Sequence, residues 1–381
     1  MKIFSNLKNF IKKETVFCVS FILALISSFV VLPDKEYLNY PDYRTIALLF
    51  CLMIIVAGFR SLGVFDRLAA TLLKRAESTK NLSLMLIMIC FFFSMIITND
   101  VALITFVPFT IRVFQLSGNT RPVLKLVVLE TIAANLGSMA TPIGNPQNLY
   151  LYSISGISAE KFALSVLPYA GISLIMLIAA VLFSKNEKIC GFTVSDNIKS
   201  ISGKRMAISS LPYIALLILC LLVVFRVIGY LPVLIIIAGA VLFLNRSLFR
   251  KADYFLLLTF LFFFIFIGNI KRVPQISEFL NSAVQGRELI FGIFASQIIS
   301  NVPAAILLSG FSADYSALMT GVNIGGLGTL IASLASLISY KFFASEFPKE
   351  KGRYLKIFTL WNLLFLAVLT IAALIFTKIL S

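Results

Sequence analysis

The strongest constraint on this chain is a set of apolar runs long enough to cross a lipid bilayer. In the run Phe255–Ile267, Thr259 is the only polar residue, and a transmembrane helix needs roughly 20 predominantly apolar residues. Of the 381 residues, 59% are hydrophobic and 13% are charged, whereas soluble domains average roughly 45–50% and about 25%. The alternating pattern of a transmembrane barrel is absent. The sequence therefore predicts an all-α polytopic membrane protein.

The order of the apolar runs predicts about nine full crossings plus two re-entrant hairpins. Uninterrupted crossings are expected at 14–32, 44–59, 162–183, 210–228, 231–245, 254–270 and 354–378. Gly, Pro and Asn interrupt 123–150 and 316–340, which are predicted to be broken transmembrane helices. The stretches 82–112 and 288–309 carry polar residues at their centres. Because buried Asn, Asp and Pro make a poor lipid-facing span, these two are predicted to fold back as hairpins.

The distribution of charge predicts the orientation of the chain. It has 33 Lys and Arg, 17 Asp and Glu, and a net charge of +16. With a cytoplasmic N-terminus and two hairpins, most basic residues lie in cytoplasmic segments, as inner-membrane proteins require. The basic residues form no single stripe, so the expected partner is membrane lipid and not nucleic acid.

Amphipathic segments at 60–76 and 274–284 are predicted to lie along the membrane interface.

The residue types present argue against an enzyme. The chain has no His and five Cys, none in a C-x-x-C spacing. His-dependent nucleophilic catalysis and the usual zinc sites are thereby excluded. No cofactor is expected, apart from Na⁺ as a coupling ion.

An internal repeat relates the two halves of the chain. An offset of 188 residues aligns Asn135 with Asn323, Gly137 with Gly325, Thr141 with Thr329, and Ile143 with Ile331. Each broken helix follows a hairpin whose tip is a hydroxyl residue and then Asn, at Thr98-Asn99 and at Ser300-Asn301. The predicted topology inverts one copy relative to the other. The domains are then a first repeat at 1–183, a cytoplasmic linker at 184–209 and a second repeat at 210–381.

The hairpin tips and helix breaks predict a binding site near the membrane midplane. Helical backbone groups lose their partners there, half-helix N-termini suit anions, and freed carbonyls suit Na⁺. The candidate substrate ligands are Thr98, Asn99, Thr141, Asn145, Ser300, Asn301 and Thr329. The candidate cation-binding or coupling residues are Asp100, Glu130, Asn135, Gly137, Asn323 and Gly325, with Na⁺ expected at Asn99, Asn135, Asn301 and Asn323. Asp100 and Glu130 have no counterpart in the second half, so the coupling chemistry is expected to be asymmetric.

These motifs resemble the ion transporter superfamily. The resemblance rests on T-N-D-V-A-L-I-T-F-V-P from Thr98, A-N-L-G-S-M-A-T-P-I-G-N-P-Q-N from Ala134, S-N-V-P from Ser300 and N-I-G-G-L-G-T from Asn323. That group includes arsenite permeases, sodium/proton antiporters, citrate transporters and divalent anion:sodium symporters. The resemblance implies a homodimer in which a transport domain of hairpins and broken helices moves like an elevator. The Asn-Asp tip is closer to arsenite permeases.

The expected function is secondary active transport of a small anion or oxyanion, coupled to Na⁺ or H⁺. Two alternatives within the transporters stay open at this point, a Na⁺/H⁺ antiporter and an arsenite-type efflux permease. From another class, a passive channel stays open, and it would give single-channel currents without counterflow.

Overall fold

The computed structural model describes residues 10, 14–65, 67, 78–116, 118–187 and 203–380, whose regular structure is helical. The first seven helices are α1 (Thr15–Val30), α2 (Tyr43–Ser61), α3 (Thr79–Ile97), α4 (Asn99–Leu116), α5 (Val123–Ser138), α6 (Pro146–Ser155) and α7 (Ala159–Leu182). The remaining helices of this part are α8 (Gly203–Val224), α9 (Tyr230–Asn245), α10 (Tyr254–Lys271), α11 (Pro274–Val284), α12 (Glu288–Ile299), α13 (Asn301–Ser309), α14 (Tyr315–Ile324), α15 (Leu334–Glu346) and α16 (Lys351–Leu380).

Several of these helices can cross a membrane, which confirms the polytopic all-α prediction. Within the described residues, seven stretches have sufficient length and apolarity: Tyr43–Ser61, Thr79–Ile97, Ala159–Leu182, Met206–Val224, Tyr230–Lys251, Tyr254–Lys271 and Pro348–Lys378. The count of nine crossings stays a prediction. The first expected crossing forms a helix of only 16 residues, α1. In contrast, α3 has 19 residues and is by itself long enough to span, although it was predicted as one arm of a hairpin.

Two of the predicted segments fall largely or partly outside the described residues. In the predicted interfacial helix at 60–76, residues 66 and 68–76 lie outside them. Residues 188–202 of the predicted linker also lie outside them. The linker was expected to end at residue 209, and α8 begins within that range, at Gly203. The helix thus begins before its apolar run, at polar residues of the predicted linker.

Both polar-tipped stretches turn back on themselves. The chain before α3 and the chain after α4 meet at Glu187, because the Glu187 N–H donates to Thr79 Oγ1 at 3.0 Å and Asn119 Nδ2 donates to the Glu187 carboxylate. In the second stretch, the carboxylate of Glu288 at the start of α12 accepts from the N–H groups of Ala313 and Asp314 after α13, at 3.2 and 3.3 Å. The α3–α4 and α12–α13 pairs are therefore hairpins.

The two broken helices are interrupted by residues that oppose continuous helix. Between α5 and α6, Pro142 removes a backbone donor, and Asn145 caps the new helix by accepting from the Asn148 N–H at 2.9 Å. Between α14 and α15, the interruption includes Gly325, Gly326 and Gly328, and Gly328 has a φ of 98°. Only glycine adopts that conformation without strain. The predicted breaks are present, and the first broken helix extends to Ser155, past the expected limit of residue 150.

The helices form two groups that meet along one side. The hairpins and broken helices, α3–α6 and α12–α15, pack on one another and form the core. Helix α5 lies at its centre, in contact with α3, α4, α7, α15 and α16. Helices α1, α2 and α8–α10 form a second group, the scaffold, in which α2 packs against α8, α9 and α10. The scaffold touches the core mainly where α2 meets α6 and α10 meets α13.

Close packing of the first hairpin on α5 depends on Gly137. A Cβ atom at this position would lie 2.1 Å from the Phe91 carbonyl oxygen and 2.7 Å from Ser94 Oγ. We therefore expect Gly137→Ala to lower the free energy of unfolding by about 1–3 kcal/mol, since overpacking forces backbone shifts. Unfolding of the purified protein in detergent measures this. The matched control is Gly171→Ala in α7, where nothing lies within 4 Å of the added atom; equal losses in the two variants would contradict the packing argument.

Candidate functional site

Both hairpin tips hold a non-glycine residue in a strained backbone conformation. Thr98 has φ 69° and ψ 151°, and Ser300 has φ 74° and ψ 153°. This region of backbone space is occupied almost only by glycine and costs about 1–3 kcal/mol for other residues. The strain places Asn99 and Asn301 as the first residues of α4 and α13. Two equal outliers at corresponding positions indicate a geometry that the fold imposes.

Each tip is bonded to the broken helix of its own half. The Asn99 N–H donates to the Gly144 carbonyl at 3.1 Å, and the Asn301 N–H donates to the Ala332 carbonyl at 2.9 Å. An offset of 188 residues relates Gly144 to Ala332. Each Asn side chain then caps its own helix, because its Oδ1 accepts from the next backbone N–H, that of Asp100 at 3.0 Å or Val302 at 2.9 Å.

A second matched bond joins each break to the hairpin arm. Thr141 Oγ1 donates to the Met95 carbonyl, and Thr329 Oγ1 donates to the Gln297 carbonyl at 3.1 Å. In the second half the Gln297 side chain adds further bonds, since its Nε2 donates to the carbonyls of Gly325 and Leu327 at 2.7 and 2.9 Å. The first break is fastened by an amide as well, since Asn148 Nδ2 donates to the carbonyls of Met139 and Thr141 at 2.9 and 3.1 Å.

The two halves are joined by reciprocal contacts across the core. Asn135 Oδ1 accepts from Asn99 Nδ2 at 3.0 Å and from Ser333 Oγ at 3.0 Å. Asn145 Nδ2 donates to Asn323 Oδ1 at 3.0 Å. The same offset of 188 aligns Asn135 with Asn323 and Asn145 with Ser333. The bond between Asn135 and Ser333 therefore corresponds to the bond between Asn323 and Asn145. Such reciprocity is the pattern of a two-fold arrangement; the inversion of one half relative to the membrane stays a prediction.

The glycines predicted to assist ion binding serve the packing of the hairpins. A Cβ on Gly137 would lie 2.7 Å from Ser94 Oγ, and one on Gly325 would lie 2.8 Å from Ser296 Oγ. These are again corresponding positions of the two halves. Both glycines therefore let a hairpin arm approach the helix before its break.

A cavity of about 400 Å³ lies between the first tip and the scaffold. Three of the predicted site residues line it, Thr98, Asp100 and Asn145, on the core side. The charged residues on the scaffold side, which the sequence reasoning missed, are Arg60, Lys251 and Asp253. Most of the remaining lining is aliphatic. This cavity has the size and the sparse polar lining of a small-molecule site.

The missed residues carry weak signals in the sequence. Arg60 and Lys251 belong to basic segments that flank the apolar runs, where positive charge is expected for orientation alone. Asp253 caps α10 by accepting from the Leu256 N–H at 3.0 Å, which is an ordinary role at a helix start. Only the packing of α2 and α10 against the core shows that these side chains face the first tip.

The other predicted substrate ligands lie outside this cavity. Ser300 and Asn301 are buried at the second tip, beside the Ala332 carbonyl. Thr141 is half-buried and bonded to Met95, while Thr329 is exposed. The structure thus brings the tips and breaks together through the core hydrogen bonds, and only the first tip opens onto the cavity.

The four amides predicted to hold Na⁺ already have partners. Each Oδ1 of Asn99, Asn135, Asn301 and Asn323 accepts at least one hydrogen bond. The described residues contain no group of three or more His, Cys, Asp or Glu side chains that could hold a metal ion. A Na⁺ ion here would have to share oxygens that cap α4 and α13 or that join the two halves.

Glu130 is a buried carboxyl group in the middle of α5. Its side chain is fully buried, Thr110 Oγ1 donates to Oε1, and no group of the described residues bonds to Oε2. Lys125, on the same helix, does not pair with Glu130, because Lys125 Nζ donates to the Ala180 carbonyl and to Ser184 Oγ at 2.9 and 2.7 Å. A charged carboxylate without a cation is unfavourable in such a place, whereas a protonated one is tolerated.

Hairpins with strained tips, broken helices and a cavity beside one tip define a polytopic membrane transporter. The chain belongs to the citrate transporter family, whose model matches residues 10–316. It is 33% identical over 347 residues to an uncharacterized transporter of Methanocaldococcus jannaschii, covering 91% of this chain and 93% of that protein. It is also 31% identical over 323 residues to the inner membrane protein YbiR of Escherichia coli, covering 83% and 84% of the two chains.

A solved structure supports the fold independently. The YdaH transporter of Alcanivorax borkumensis, described as having an unusual topology, matches with a TM-score of 0.58. The match covers 96% of this chain and 97% of that one at 13% sequence identity. At this identity the likeness establishes the shared fold alone. Together with the family, it makes this chain a multi-pass membrane transporter.

The contact between Asn145 and Asn323 allows a direct test of the join between the halves. Asn145→Ala leaves the buried Asn323 Oδ1 without its donor, so we expect a loss of about 1–3 kcal/mol in the free energy of unfolding. A double-mutant cycle with Asn323→Ala should give a coupling energy of about 0.5–3 kcal/mol. Asn81→Ala on the exposed face of α3 is the control, expected within about 0.5 kcal/mol of the parent protein. Additive losses at the two core positions would show that they do not interact.

Proposed function

We propose that the chain is a secondary active carrier of a small anion or oxyanion, driven by an ion gradient across the inner membrane. The observation that carries this proposal is the cavity beside the first tip, where cations and helix N-termini converge. Arg60 and Lys251 line its scaffold side, and neither forms an ion pair with a described residue. The first residues of α4 and α6 approach it from the core side.

The physical argument is that these groups favour negative charge. Helix N-termini carry about half a positive charge. The two side-chain cations add charge at the opposite wall, while the Thr98 hydroxyl supplies a hydrogen-bond donor. The family description names citrate, an anion of several carboxylates. A small carboxylate or oxyanion is therefore the substrate class that fits the donors best.

For the coupling ion, protons fit the structure better than Na⁺. Glu130 is a fully buried carboxyl group with one donor and a vacant Oε2. It lies on α5, which also carries Asn135 at the join between the halves. Binding and release of a proton at Glu130 would change the charge inside the core. The amide oxygens suggested for Na⁺ are instead engaged in hydrogen bonds.

The mechanism we propose is an elevator-type movement of the core against the scaffold. Reciprocal hydrogen bonds join the halves of the core, whereas the cavity separates the first tip from α2 and from the start of α10. The core would carry the substrate while the scaffold helices stay in place, within a homodimer whose N-termini are cytoplasmic. The resemblance to related carriers supports the dimer and the movement.

A second candidate is antiport, which the acids of the cavity favour. Asp100 and Asp253 line the same space as the two cations, and no hydrogen bond from the described residues reaches the Asp100 carboxylate. A carboxylate at this depth can bind Na⁺ or carry a proton. The carrier would then exchange Na⁺ for protons, or export an arsenite-type solute in exchange for protons.

Substitutions in the cavity distinguish the two candidates. For an anion carrier, Arg60→Gln combined with Lys251→Gln should raise the KM for citrate about tenfold or more, since each cation offers a charge-assisted hydrogen bond. Uptake into proteoliposomes measures this, with sulfate, phosphate and arsenite as further substrates. Lys349→Gln combined with Lys351→Gln, on exposed positions elsewhere, is the matched control. For an antiporter, Asp100→Asn should instead abolish Na⁺/H⁺ exchange while the double cation variant stays active.

The proton-coupling proposal is tested at Glu130. Glu130→Gln keeps the shape and the acceptor for Thr110 but cannot bind or release a proton, so we expect proton-driven accumulation to be lost while counterflow of substrate continues. Glu288→Gln is the matched control, because Glu288 is also buried but accepts from two backbone N–H groups at the end of a hairpin. Proton-driven accumulation by Glu130→Gln at the parental level would assign the coupling to another group.

A further inference from the structure

A second cavity, remote from the first tip, is lined by cations. This basic pocket has a volume of about 330 Å³ and lies where α3 and α5 begin and α7 ends. Its basic residues are Lys80, Arg121, Lys125 and Lys185. Among the described residues that line it, Glu187 is the only acid. The lining therefore carries a formal excess of positive charge, and neither the transport site nor the core hydrogen bonds involve it.

The four cations are not neutralised by described residues. No ion pair joins them to a carboxylate of the described part of the chain. Lys125 Nζ is fixed by two neutral acceptors, the Ala180 carbonyl and Ser184 Oγ, and lies 4.9 Å from the centre of the Trp361 ring. The Glu187 carboxylate instead accepts from Asn119 Nδ2. The positive charge of the pocket thus remains available to a ligand.

The backbone at the pocket also favours an anion. Helix α5 begins at Val123, and the residue before it, Pro122, provides no side-chain cap. The first N–H groups of such a helix and its dipole attract negative charge. Two hydrogen bonds fix the wall of the pocket beside them: the Thr79 N–H donates to the Glu187 carbonyl at 2.9 Å, and the Glu187 N–H donates to Thr79 Oγ1 at 3.0 Å. The pocket is therefore built by the fold and does not depend on flexible side chains alone.

We propose that the basic pocket binds the phosphate group of an anionic phospholipid. Below its charged rim the lining is aliphatic, with Ile87, Leu126, Leu129 and Val181. A headgroup phosphate would meet the cations while the adjoining acyl chain meets this apolar wall. Basic pockets among the ends of transmembrane helices recognise anionic headgroups in this way. Free inorganic phosphate also carries negative charge, but it has no acyl chain to pack against the aliphatic side chains.

The test is lipid binding by the purified full-length chain in detergent. Phosphatidylglycerol, phosphatidylcholine with the same acyl chains, and inorganic phosphate are titrated separately, and bound lipid is counted by native mass spectrometry. We expect phosphatidylglycerol to bind selectively, with an affinity that falls as salt rises. Lys80→Gln combined with Arg121→Gln should weaken it by roughly tenfold or more, since each cation near an anionic lipid contributes about a fivefold factor.

The controls make each outcome informative. Lys349→Gln combined with Lys351→Gln removes the same charge elsewhere and should leave binding unchanged. Lys80→Arg combined with Arg121→Lys should retain binding, which separates loss of the ligand contact from misfolding. Equal binding of the two lipids, or parental affinity in the Lys80→Gln, Arg121→Gln variant, would overturn the proposal. Competition by millimolar inorganic phosphate with no lipid preference would assign the pocket to a free anion and overturn the lipid.

Discussion

The constraint on which the rest of this structure depends is that backbone interrupted at membrane depth must find hydrogen-bond partners. Hydrocarbon supplies none, and each unsatisfied group costs several kcal/mol. Here the backbone N–H at each tip donates to a carbonyl at a break: the Asn99 N–H to Gly144, and the Asn301 N–H to Ala332. A hairpin and its broken helix thus supply each other with the hydrogen-bond partners that water would otherwise provide. Neither interruption would be stable alone, which explains why each half contains both.

The same constraint joins the halves. The side-chain amide oxygens near one break accept hydrogen bonds from polar side chains of the other half. Asn135 accepts from Ser333, and Asn323 accepts from Asn145. Because neither half completes its own network, the hydrogen bonds hold the core together as one unit. Any conformational change of large amplitude has to occur where such bonds are absent. The cavity between the first tip and the scaffold is such a boundary.

The sequence predicted the hairpins and breaks well because polar residues are rare in this chain and their positions are therefore informative. The offset that aligns Asn135 with Asn323 also relates the pairs of atoms that bond in the structure. The site was less predictable. Asn99 and Asn301 were expected to face a ligand, yet their side chains cap their own helices. Arg60 and Lys251 look like ordinary flanking charges until packing places them at the cavity. Which partner an amide chooses depends on helix crossings that a linear pattern does not contain.

The two tips share a backbone but differ in chemistry, and the difference has a structural basis. In the second half, Gln297 fastens the break through the carbonyls of Gly325 and Leu327, and the tip continues with Val302, which is buried. In the first half, Met95 occupies the position of Gln297 and Asp100 that of Val302, and the tip faces a cavity. The first break is fastened in a similar way, by Asn148 through the carbonyls of Met139 and Thr141, so the difference between the halves lies at the tips. The fold holds strained tips in both halves, and the first tip places an acid, Asp100, beside a cavity.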